Sequence, residues 1–90
     1  MSKIFIIHLK AVMPNGKNRF YVVESDHKTV AEIVRDLNAG LSTFTHLWTM
    51  PTKTPGRFAI TGRAEVAIRG DDVIRVNETN NIYEDAGVLA

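Results

Sequence analysis

Three histidines, four arginines in the C-terminal half and a single tryptophan are the residues of this 90-residue chain that could do chemistry. His8 and His46 near Lys10 could in principle run metal-independent acid–base cleavage of a phosphodiester. Their neighbourhoods do not help: two-histidine phosphoesterases repeat His-x-Thr or His-x-Ser, and here the triplets are His8-Leu9-Lys10 and His46-Leu47-Trp48. The more suggestive set is basic and aromatic. Arg57, Arg63, Arg69 and Arg75 fall on the C-terminal strands or their turns, and His46 and Trp48 fall on the strand before them. Arginine offers a planar fork to phosphate and an aromatic face stacks on a base, so these six residues are the candidate site for a nucleotide-like anion. The competing reading is a solvated polar face on which Glu65 and Asp72 neutralise the arginines.

Other signals are weaker. The chain has no cysteine, which removes disulfides, thiolate metal sites and thiol catalysis. Asp71-Asp72 lacks the alternating oxygen ligands and closing glutamate of a calcium loop. No phosphate-binding Gly-rich loop, nucleophile elbow or His-Glu-x-x-His helix is present. Arg69-Gly70-Asp71 spells an adhesion tripeptide and Asn77-Glu78-Thr79 a glycosylation sequon, but turn chemistry accounts for the first, and neither follows a secretion signal. We therefore expect no catalytic residues, no metal and no cofactor.

The elements that must position these residues can be read from periodicity. Ile4–Val12 alternates as a strand with Phe5, Ile7, Leu9 and Ala11 on one face, and Asn15-Gly16 supplies a turn into a return strand, Arg19–Ser25. Val30, Ile33, Val34 and Leu37 form the stripe of an amphipathic helix, with Thr29 and Glu32 as a capping box and Gly40 at its C-terminal stop. Leu41–Met50 and Arg57–Thr61 are predicted strands, with Gly62 marking a bulge. Ala64–Arg69 and Val73–Asn77 read as a hairpin around Gly70-Asp71, and residues 79–90 as a loosely docked tail.

The predicted fold is α+β in the order β-β-α-β-β-β: one compact domain over 1–90, with an antiparallel sheet of four to five strands and one helix packed on one face. Ile4, Ile6, Tyr21 and Val23 are expected on the opposite face, bare and available to a second copy.

Charge refines the choice of partner. Successive blocks 1–23, 24–36, 37–64 and 65–90 carry +4, −2, +3 and −4, a net of +1, too small for a dedicated duplex-DNA binder. No apolar run approaches a membrane span, and a cytoplasmic location is the default. The expected function is a small non-enzymatic homo-oligomer that captures an anionic small molecule, by analogy with phage and mobile-element accessory proteins. A protein–protein adaptor or inhibitor acting through the exposed sheet face is the alternative, and a small metal-independent nuclease using His8, Lys10 and His46 a third.

Overall fold

The computed structural model describes residues 3–86. Strands β1 (Lys3–Val12) and β2 (Asn18–Ser25) form the first hairpin, whose turn has Gly16 at φ 84°. Helix α1 (Val30–Asn38) follows, then a second and longer hairpin of β3 (Leu41–Pro51) and β4 (Arg57–Arg69). A single 3-10 turn, Gly70–Asp72, leads to β5 (Val73–Glu78), and β6 (Ile82–Asp85) comes last. The sheet order is β5-β1-β2-β3-β4-β6, with β6 parallel to β4 and every other pairing antiparallel.

The α+β class with one helix stands, whereas the sheet has six strands and is mixed rather than four to five and antiparallel. The extra strand comes from the segment read as a docked tail. Ile82–Asp85 pairs with Arg57–Ile60, and 87–90 lie outside the described residues. The hairpin expected around Gly70-Asp71 is also corrected: β5 pairs with β1 at the far side of the sheet, so the turn is a crossover.

Helix α1 forms where the stripe predicts. The Thr29 hydroxyl accepts from the Glu32 amide, the Glu32 carboxylate accepts from the Lys28 amide at 2.6 Å, and the helix stops at the Ala39 cap followed by Gly40 with φ 127°. The Lys28 hydrogen bond is the main reason the Glu32 carboxyl lies below the ordinary glutamate value of 4.5. A depressed folded-state pKa stabilises the fold above the unfolded value and loses that contribution as pH falls through the folded one. Thermal melts of wild type and Glu32→Gln should therefore differ near neutral pH and converge in acid below 4.5; a gap that persists there contradicts the capping role.

Two short connections show that the sheet is strongly coiled. Laid flat, β5 and β6 would sit five spacings of about 4.8 Å apart, roughly 24 Å. Yet only residues 79–81 join them, a reach of at most about 15 Å. The 3-10 turn bridges β4 to β5 under the same constraint. Register shifts after His8 on β1 and between Trp48 and Thr49 on β3 supply bends.

The coil gives the domain two cores. Phe5, Ile7, Val23, Phe44 and Ile68 pack beneath Ile33 and Leu37 of the helix. On the other face Val22, Leu47 and Ile60 are buried together, with Ile4 and Tyr83 packed against them. This corrects the expected faces. Tyr21 and Val23 pair with Ile7 and Phe5 and therefore share the helix side, while Val22 joins Ile4 on the other. On that second face Tyr83 of β6 packs against the buried residues.

Candidate functional site

The first and second hairpins meet along a short seam. β2 and β3 pair only at Val23–His46 and Glu24–Thr45. Helix α1 has nine residues and covers one end of the sheet's helix side, leaving the other end of the seam open. There a cleft of about 550 Å³ is lined by Leu9, Ala11, Met13, Pro14, Arg19, Phe20, Tyr21 and His46.

An aromatic row runs along this end of the sheet. The Tyr21 and His46 rings meet edge to face with centroids 5.0 Å apart, and His46 and Trp48 repeat the geometry at 5.0 Å. Trp48 is 52 % exposed and lies over Gly62, where an added Cβ would meet the indole at 3.3 Å. Met50, two residues on, is 59 % exposed. His46 is half-buried, and its Nδ1 is closed off from solvent with no hydrogen-bond partner. A buried polar atom left unpaired costs about 1–3 kcal/mol, so it marks a place where a bound group could restore the pairing.

The four arginines are placed differently. Arg57 pairs with Glu84 of β6, and its buried Nε is also unpartnered. Arg63 bridges Asp85 at 2.7 Å and Glu24 at 3.4 Å. The Asp85 hydrogen bond is the largest reason its guanidinium binds its proton more tightly than an ordinary arginine. Arg69 lines a separate depression with Gly40, Leu41, Gly70 and Asp71. Arg75 lies on β5, four strand spacings from β4, with its Nη2 3.3 Å from His8 Nε2; that nitrogen lies 2.9 Å from the acceptor Asn77 Oδ1. Of the six predicted residues, His46 and Trp48 meet ring to ring, while Arg57 and Arg63 are engaged by carboxylates and Arg75 lies on the far side of the sheet.

The histidines of the nuclease reading do not share a site. His8 pairs with Phe20 and Arg75 on the face away from the helix, whereas His46 pairs with Val23 on the helix side. Sequence reasoning missed Tyr21 and Arg19, which reach the cleft from the other hairpin. The Arg19 side chain makes no ion pair or hydrogen bond within the described residues, and residues 1–23 carry Lys3, Lys10 and Lys17 but no acid.

Among the described residues no three His, Asp or Glu side chains converge as metal ligands, and no helix is long and apolar enough to cross a membrane. The arrangement can stack a flat ring against Tyr21 and His46 and offer Arg19 to a negative charge. The chain matches no protein-family model, no curated protein and no solved structure.

Proposed function

We propose that this is a homo-oligomeric, non-enzymatic binding protein that captures a flat anionic ligand of the nucleotide class in the open end of the seam. The observation that carries the reading is His46, a half-buried ring lining the cleft, with an unpartnered Nδ1 and aromatic neighbours on both sides. Tyr21 and His46 hold the base, Nδ1 gains a partner as the imidazole turns toward the ligand, and Arg19 takes the phosphate. Arg57 and Arg63 are already neutralised by carboxylates, which leaves Arg19 to do this. Exposed Trp48 and Met50 on the adjoining strand form the apolar margin that a second copy would cover.

A melt against mononucleotides and cyclic dinucleotides tests the reading. Ligand at 100 times its Kd adds about 2.7 kcal/mol to the native state. His46→Ala and Arg19→Ala should each remove most of that gain, and the ligand should be recovered intact. Light scattering should report more than one copy per particle. If no compound moves the melt, ligand capture fails; co-purification of a protein bound at Trp48 and Met50 would then favour the adaptor reading.

A further inference from the structure

At the opposite end of the seam, a second cleft of about 500 Å³ opens between the C-terminal end of β2, the helix and β3. Three side chains there form a hydrogen-bonded chain. His27 Nε2 contacts Asp36 Oδ2 at 2.6 Å, and His27 Nδ1 contacts the Ser25 hydroxyl. Asp36 is on the helix, Ser25 ends β2, and His27 lies between them with its ring 6.1 Å from that of Phe44.

With a neutral imidazole, the donors and acceptors fit one order. A carboxylate accepts, so Asp36 keeps the imidazole proton on Nε2 and leaves the Nδ1 lone pair facing Ser25. The His27 backbone N–H donates to Ser25 Oγ at 3.2 Å, so the hydroxyl's own proton is free to point at Nδ1. A hydroxyl aimed at a neutral imidazole, which a carboxylate holds in turn, is the arrangement that activates a serine, here with the two ring nitrogens exchanged.

We propose that Ser25 is a nucleophilic serine that accepts an acyl group from an uncharged or cationic ester. In this step Oγ bonds to the carbonyl carbon and the bond to the leaving oxygen breaks. The Ser25 proton passes to His27 Nδ1 and from there to the departing alkoxide. Glu24, Asp26, Glu32 and Glu65 line the same cleft. Their negative field draws in a cationic donor and repels an anionic one. Asp36 acts as a positioning residue.

The test is reaction of the intact protein with an uncharged fluorophosphonate ester, read by whole-protein and peptide mass. Oγ displaces fluoride in the same way that it displaces an alkoxide. One adduct per chain on Ser25 is expected, absent in Ser25→Ala and slowed on the order of 100-fold in His27→Ala and Asp36→Asn. Nitrogen-15 spectra should show the His27 proton on Nε2 in the wild type and a shift toward Nδ1 in Asp36→Asn, with the labelling rate falling alongside that shift. Melting curves establish that each variant is folded. The proposal is overturned if the folded wild type takes no label, if the label falls elsewhere, or if Asp36→Asn reacts at the wild-type rate with its tautomer unchanged. His46 and Arg19 lie at the other end of the seam, so their variants should label normally whatever becomes of the nucleotide cleft.

Discussion

Gly70→Ala should lower the stability of the fold by on the order of 3 kcal/mol, at the upper end of what overpacking costs. A Cβ at this position would lie 2.0 Å from the Leu37 carbonyl oxygen and 2.8 Å from its carbon. Both are backbone atoms near the end of α1, and the oxygen already accepts from the Gly40 amide at 3.0 Å. The Gly70 amide itself donates to the Gly40 carbonyl at 2.9 Å. The turn therefore cannot back away without breaking that bond, and the helix cannot lift without uncovering Ile33 and Leu37. For a domain of this size each kcal/mol corresponds to roughly 4–8 °C in Tm, so the variant should melt about 12–24 °C early. Asp71→Ala, one residue on and exposed, should stay within about 0.5 kcal/mol of wild type. Equal urea midpoints for the two variants would show that the crossover is not wedged under the helix.

Leu47→Ala should cost about 3 kcal/mol, within the 2–5 kcal/mol typical of a buried leucine. The size is informative because Leu47 faces away from the helix, where a two-layer fold with one helix has no second layer. It is nonetheless only 2 % exposed, enclosed with Val22 and Ile60 beneath Tyr83 and Ile4. Truncation leaves a cavity among Val22, Ile60, Ile4 and Tyr83. Ile74→Ala, at a side chain 53 % exposed on β5, is the matched control and should change little. Denaturation at two protein concentrations separates the origins of the cost. A Leu47 penalty independent of concentration belongs to the second core of one chain, and one that grows on dilution belongs to contact between copies.

Local patterns in the sequence carry the helix and the first hairpin. The Val30–Leu37 stripe and the Thr29 cap are set by spacings of three and four residues, and Asn15-Gly16 by the turn itself. What could not be read depends on distant partners. Gly70-Asp71 has the composition of a hairpin turn, and it is a crossover because β5 pairs with the distant β1 rather than with β4. Ile82–Asp85 is short and half charged, and becomes a strand because Arg57–Ile60 pairs with it and Arg57 meets Glu84. The face assignment of β2 was ambiguous because Phe20, Tyr21, Val22 and Val23 are all apolar, as suits a strand covered on both sides. In the candidate site, His46 and Trp48 were legible as neighbours two apart on a strand, while Tyr21 and Arg19 come from across the seam. The spacing of Ser25 and His27 is visible in the sequence, but Asp36 joins them only because the helix folds back over β2.

The placement of β5 and β6 bears on how the chain is made. Residues 73–85 supply the outermost strand on both sides of the sheet, flanking β1 on one and β4 on the other. During synthesis on the ribosome, the two hairpins and the helix can emerge and collapse while β1 and β4 still present unpaired backbone to neighbouring nascent chains. The segment translated last among the strands is thus the one that guards both flanks, and a stall before it appears would release a sticky, half-finished sheet.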